Sequence, residues 1–255
     1  MLYVKDSAVW KQVTPYVKSG GVWVKAKQVY VNSGGVWKPL LKDPNYASVS
    51  LLVHGDGADG STTITDNSPT PKTVTASGNA RISTAQSFFS GGSSIAFDGN
   101  GDYITAPSDT SFAFSGDFTI EYLIRFNTLP ATDFNVWHTL INGGISLYQT
   151  PTRNSWQIAR SGQASALSFS WTPAAATWYH FAVSRTGSTM RVFVNGTQLA
   201  SGSVTTSFLQ SGFQFGRDYL ATRWLDGWVE ELRITKGVGR YTANFTVQDI
   251  PFFNA

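Results

Sequence analysis

Acid–base chemistry in this chain would have to be built from three glutamates, Glu121, Glu230 and Glu231, and three histidines, His54, His138 and His180. Cleaving a glycosidic bond needs two carboxyl groups flanking it, about 5 to 9 Å apart. On a strand that means alternate positions, because neighbouring side chains point to opposite faces. Glu230 and Glu231 are adjacent and are expected to face opposite ways, while Glu121 stands on another segment. The histidines lie on unrelated segments, and no serine occupies a Gly-x-Ser-x-Gly elbow. The chain therefore reads as non-enzymatic. It has no cysteine, which removes thiolate metal sites and disulfides together. Hard oxygen ligands remain: Asp56, Asp59, Asp98, Asp102 and Asp226 sit in Gly-rich turns, where they could hold calcium or simply close Asx-turns. The Gly-rich stretches Gly55-Asp56-Gly57 and Gly99-Asn100-Gly101-Asp102 lack the lysine and helix of a phosphate cradle.

Ligand binding has better candidates. Tyr219, Arg223 and Trp224 cluster between Phe215-Gly216 and Asp226-Gly227, and Trp137 and Trp156 each follow a polar stretch. Aromatic rings on loops can stack on sugar faces while Arg, Asn and Asp fix hydroxyls, and sites of this kind ride on loops above a rigid scaffold. Trp137 and Trp156 are equally readable as residues at the rim of a core. The Tyr219, Arg223 and Trp224 group is the strongest site candidate.

The elements that must carry these residues are strands. Segments 48–53, 94–97, 103–106, 118–126, 139–141, 145–148, 156–160, 166–171, 178–185, 189–194, 213–215 and 228–235 alternate or run apolar between turn signals, and nothing shows a helical period. In 118–126, Phe118, Ile120, Tyr122 and Ile124 are expected on one face, with Thr119, Glu121, Leu123 and Arg125 on the other. This predicts an all-β, two-sheet antiparallel sandwich. Hydrophobic residues make up 42% of the chain, ample for a core. No apolar run approaches the roughly 20 residues needed to cross a membrane.

A different pattern fills the first forty residues. Tyr3-Val4…Val9-Trp10, Tyr16-Val17…Val22-Trp23 and Tyr30-Val31…Val36-Trp37 repeat one unit, with Ser-Gly-Gly turns in the second and third copies, and each unit predicts a β-hairpin. Residues 1–42 hold seven lysines against one Asp, a net +6; residues 43–255 hold two lysines and ten arginines against fifteen acids, a net −3. The composition breaks at Lys42-Asp43-Pro44-Asn45. This predicts two domains, 1–42 and 43–255. Lysines alternating with valines and aromatics read as a solvated strand face that discourages stray pairing, rather than as a nucleic-acid surface. Hairpins this small are marginal alone, so their Tyr and Trp faces must be buried: either segment 1–42 is a small sheet fixed to the main domain, or, the reading preferred, it docks on a partner or oligomerises, most simply as a trimer.

The phrases Phe97-Asp98-Gly99-Asn100-Gly101-Asp102-Tyr103-Ile104, Phe118 to Tyr122, Trp178 to Val183, Val192 to Thr197 and Gly227 to Ile234 occur in the order of the laminin-G-like (concanavalin A-like) jelly-roll module, which the chain resembles from near Ser48 onward. The stretch Lys236 to Thr246 resembles the closing segment of such modules in phage and marine bacterial proteins. By that resemblance it covers a sheet edge, with Tyr241 and Phe245 as plugs. The resemblance also implies a structural calcium, with Asp56 and Asp226 as its ligands. The Glu-x-Asp-x-x-Glu arrangement of enzymatic relatives is absent. The hairpin units resemble Tyr-Val…Val-Trp-Lys repeats at the amino ends of bacteriophage tail and virion-surface proteins. Together these resemblances imply a virion protein, assembled in the host cytoplasm, that uses segment 1–42 to hold other virion proteins and the jelly roll to contact host-surface glycans. A decoration or fibre protein without a specific ligand is the alternative they leave open.

Overall fold

Alternating residues of the kind just described form most of the 22 strands found among the described residues of the computed structural model. It describes the backbone of 2–6, 9–13, 16–19, 22–25, 30–33 and 36–39, and then residues 42–129, 134–139, 143–160, 165–209 and 211–254. Among the described residues there is no α-helix, only two single 3-10 turns at Tyr46–Ser48 and Thr110–Phe112, and nothing helical long enough to span a membrane.

The first six strands make three separate antiparallel hairpins: β1 (Leu2–Asp6) with β2 (Val9–Val13), β3 (Tyr16–Ser19) with β4 (Val22–Lys25), and β5 (Tyr30–Ser33) with β6 (Val36–Pro39). Each follows one repeat unit. The roles expected of their Tyr, Trp and Lys side chains concern groups outside the described residues. The chain divides into two compact units, Met1–Ala47 with Gln248–Ala255 and Ser48–Val247. The first therefore closes at Ala47 rather than Lys42 and takes in the carboxyl end.

Ser48–Val247 is the sandwich. Its strands are β7 (Val49–Val53), β8 (Thr63–Ile64), β9 (Val74–Ser77), β10 (Arg81–Ser83), β11 (Ser94–Asp98), β12 (Tyr103–Asp109), β13 (Phe118–Phe126) and β14 (Phe134–Thr139). There follow β15 (Ile145–Gln149), β16 (Ser155–Arg160), β17 (Ser165–Ser170), β18 (Trp178–Thr186), β19 (Thr189–Val194), β20 (Thr197–Ser203), β21 (Ser211–Phe215) and β22 (Asp226–Lys236). The front sheet runs β10-β11-β22-β13-β18-β19-β20, with β7 also on β22; the back sheet runs β17-β16-β15-β14-β21-β12-β9-β8. Chain neighbours that are not sheet neighbours, such as β21 and β22, make this a jelly roll.

The two inner faces share one core. Phe118, Ile120, Tyr122 and Ile124 all point into it, as the alternation requires. Tyr122 ties the layers: it stacks on Phe181 of its own sheet and its hydroxyl accepts from Trp137 Nε1 across the core at 3.0 Å. The two-residue turn Asn195-Gly196 joins β19 to β20 with φ of 49° and 74°, the doubly positive conformation a tight hairpin needs.

The expected segment 139–141 is displaced: the strand is β14, ending at Thr139, and 140–142 lie outside the described residues. β22 departs from simple alternation. Val229, Leu232 and Ile234 face the core, and Glu231 takes φ 56°, so one extra residue is accommodated opposite β13 between Glu121 and Leu123. Glu230 and Glu231 consequently share the outer face, correcting the expectation that they diverge.

The segment after β22 crosses the outer face of the front sheet rather than an edge. Thr119 Oγ1 donates to Val238 O, Gln198 N to Asn244 Oδ1 and Phe245 N to Gly196 O, fastening it over β13, β18 and β19. Tyr241 and Phe245 stack at 3.7 Å, and both pack edge-on against His180 and Phe193.

Candidate functional site

All three glutamates are buried and each is engaged by internal partners. Glu121 has no solvent exposure; it accepts from Arg233 Nε at 2.9 Å, from Tyr241 Oη at 2.6 Å and pairs with His180 Nε2 at 3.2 Å. Glu231 pairs with His54 Nδ1 at 2.7 Å. Glu230 accepts from Phe88 N at 2.6 Å and from Ser87 Oγ. Burial, helped by Glu231, pushes the Glu230 carboxyl up to about 7. His54 and His180 thus each stand against a buried glutamate on one sheet face, a grouping hidden by their separation along the chain.

The candidate ligand-binding group stands at one end of the sandwich. There Asp98 lies opposite Asp226, Phe126 opposite Gly227 and Ile104 opposite Phe215. Leu225 N donating to Gly216 O, and Gly99 N donating to Leu225 O, join the strand ends of the two sheets. Loop 216–225 is built around Asp218, which is buried. Its carboxylate accepts from Thr222 N at 2.7 Å, Thr222 Oγ1 at 2.8 Å and Arg223 N at 3.1 Å, with Arg223 Nη1 at 3.6 Å. So stapled, the loop presents Tyr219 at 56% and Leu220 at 68% exposure. Few large apolar side chains here are as exposed, and the loop is ordered by its own hydrogen bonds before any ligand arrives.

Around the tip, Tyr219 N donates to Asn135 Oδ1 and its ring meets His138 edge-on at 6.1 Å. His138 Nδ1 donates to Thr139 O while Nε2 accepts from Gln214 Nε2, an arrangement that suits the neutral ring, and burial lowers its pKa. Arg217 stacks over Tyr103 at 3.9 Å and donates to Gln214 Oε1. Arg223 is about one-third exposed, and Trp224 is half-buried, bridged through its backbone to Arg217. The three clustered sequence candidates therefore do share one loop, with Tyr219 outermost. Leu220 and Arg217 join them, unmarked by the sequence, as does His138, which the sequence offered only as an acid–base candidate on an unrelated segment.

Trp137 and Trp156 do not belong to the site. Both have no exposure: Trp137 donates to Tyr122 and Trp156 Nε1 donates to Trp171 O at 2.8 Å. Alternation along β14 and β16 turns both indoles inward, where their N–H groups are satisfied. Asp56 and Asp226 are not brought together either. Asp56 is exposed and lies close enough to Glu230 to act on it, whereas Asp226 pairs with Asp98 and accepts from Asn127 Nδ2. Four residues of β22, about 13 Å at the strand rise, separate Asp226 from Glu230. Among the described residues no three His, Asp or Glu side chains group to hold a metal ion. Asp102 is buried and accepts from Asn79 N at 2.7 Å and Asp98 N at 2.9 Å, closing the turn that places Asp98 at the rim.

Similar architecture occurs in solved structures. The binding domain of botulinum neurotoxin DC in complex with rat synaptotagmin II superposes with TM-score 0.59 at 15% identity, covering 76% of this chain and 49% of that one. A botulinum neurotoxin type C structure, described as dependent on two ganglioside molecules for cell entry, gives 0.58 at 14%, covering 76% and 49%. The botulinum neurotoxin serotype C1 binding domain gives 0.58 at 15%, covering 76% and 50%. The chain thus spans about half the length of these neighbours, and identities this low speak for the fold alone. A comparison with curated proteins finds no match. Residues 98–238, more than half the chain and including the turn at Asp98, the strapped sheet and the Tyr219 loop, match the family described as the concanavalin A-like lectin/glucanases superfamily, and the chain belongs to it.

Proposed function

We propose that this chain is a non-enzymatic surface protein of a bacteriophage virion, in which the concanavalin A-like domain holds a host-surface glycan and the amino-terminal hairpins hold other virion proteins. The observation that carries the glycan reading is the stapled loop 216–225, which offers Tyr219 beside Arg223 at the rim of a lectin-superfamily sandwich. An exposed ring beside a guanidinium, on a loop already ordered, suits a flat hydroxylated face. The solved neighbours support it by description only: one is named with gangliosides, another with a protein receptor. The absence of catalysis is supported by the three glutamates, each engaged by internal partners. The Tyr-Val…Val-Trp hairpins support the virion assignment through their likeness to phage repeats.

The test is an array of bacterial-surface and neutral, amino and acidic oligosaccharides probed with the full chain and with Tyr219→Ala. Retention of defined glycans by the parent and their loss in the variant supports the reading. A parent that binds no glycan, yet whose removal makes virions fragile, would replace it with a decoration role.

A further inference from the structure

The outer face of the front sheet carries a cross-strand row spanning five strands. Arg81 lies opposite Ala96, Ala96 opposite Trp228, Trp228 opposite Arg125, and Arg125 opposite Trp178. All point outward, because their neighbours Ile82, Ile95, Phe97, Ile124, Phe126 and Val229 face the core. One outward position nearer the rim, Asp98 stands opposite Asp226, with Asn127 beside it.

Ala96 is the single small side chain in that row. Where a larger residue would fill the space between Arg81 and Trp228 there is a cavity of about 310 Å³, lined by both of them and by Ala96, Asp98, Asn127 and Asp226. The Arg125 guanidinium sits 5.0 Å from the Trp228 ring and holds the indole in place. Asp226 accepts only from Asn127 among the described bonds, at 3.0 and 3.2 Å, and Asp98 accepts from Asn79 Nδ2 and Asn100 N. A carboxylate offers about four lone-pair sites, so both keep acceptor capacity at the cavity. Arg81, with one contact to Asn79 O, and Asn127 supply donors.

An aromatic wall, paired acceptors and flanking donors around a volume near the lower limit for small-ligand sites fit one sugar ring. Its C–H face would lie against Trp228, with adjacent hydroxyls donating to Asp98 and Asp226. Two carboxylates side by side repel a sialic or uronic acid and welcome an amino group. We propose that this cleft is a second sugar subsite, distinct from the Tyr219 loop, that takes a neutral hexose or hexosamine unit. The proposal rests on the glycan-binding reading above and adds the location and the class of sugar.

The experiment compares the full parent chain with Ala96→Leu, which plugs the cavity from its floor, and Trp228→Ala, which removes its wall, on neutral, amino and acidic glycans. Melting curves accompany each variant, and Trp228→Ala, at a half-exposed position, stands in if the plug perturbs folding. The expected result is that the parent retains neutral or amino glycans and that each variant weakens them by about tenfold or more with its melt preserved. Unchanged binding in both variants, or a parent selective for acidic glycans, overturns the subsite while leaving the Tyr219 reading standing. A parent that retains no glycan overturns both.

Discussion

The Tyr241 hydroxyl donates to Glu121 Oε2 at 2.6 Å, so the strap that follows the last strand is fastened to an acid with no exposure to solvent. Burial pushes the Glu121 carboxyl up, but Arg233, His180 and Arg240 outweigh it and hold it well below the usual carboxylate range. Removing the carboxylate would take from the buried Arg233 its 2.9 Å ion pair with Glu121 and from Tyr241 its acceptor. Glu121→Ala is therefore expected to cost about 3–5 kcal/mol, read by chemical denaturation, and to free the strap to proteases. A loss under about 1 kcal/mol would mean that the cluster relaxes into water.

Glu230 gives a pH dependence of the opposite sign. Its folded pKa, raised to about 7 first by burial, lies above the unfolded value of 4.5, so the folded chain binds the extra proton. Its contribution is fully present below pH 4.5 and is lost as pH rises towards 7, amounting to up to about 3 kcal/mol. The groups facing it are Phe88 N and Ser87 Oγ, with Glu231 and Asp56 nearby. The difference in stability between parent and Glu230→Gln should grow from pH 5 to pH 8 in favour of the glutamine. A difference that stays flat would place Glu230 in contact with water.

The strap also depends on two close approaches. A Cβ at Gly196 would strike Phe245 O, and one at Gly239 would strike Arg185 O and Thr186 Oγ1. Gly196→Ala and Gly239→Ala should each destabilise the fold by more than about 1 kcal/mol. They should also speed cleavage within 237–247 under limited proteolysis.

Tyr219 and Trp137 separate surface from core. Tyr219→Ala should shift stability by no more than about 0.5 kcal/mol while removing glycan retention. Trp137→Ala should cost about 3–5 kcal/mol through the cavity left against Phe213 and Tyr122. Asp218→Ala should fall between: it removes the staple and should weaken glycan retention through disorder at Tyr219.

Strand existence was largely legible because the sandwich buries one face and the alternation shows it. β13 is the clearest instance: Phe118 through Phe126 reads inward and outward as the residues themselves dictate. The four strands that went unread, β8, β9, β10 and β20, are short or rich in Ser, Thr and Gly, and β20 is an edge strand with much of its length exposed. Glu230 and Glu231 were misplaced because a bulge changes the parity of a strand, and no residue type announces one at a position occupied by glutamate. The loop 216–225 was legible as a turn with aromatics. Trp137 and Trp156 were not separable from it, since sequence does not tell a rim indole from one whose N–H is satisfied inside. The Ala96 cleft was invisible for a simpler reason: its walls come from four strands distant in the chain.

The three amino-terminal hairpins each close their hydrogen bonding on themselves, β1 with β2, β3 with β4 and β5 with β6, and among the described residues no strand of theirs pairs outside its own unit. Pairing confined in this way makes the segment indifferent to copy number. In pairing terms a unit gained or lost, in a whole step of 13 or 14 residues, leaves the backbone pairs of the remaining hairpins as they are.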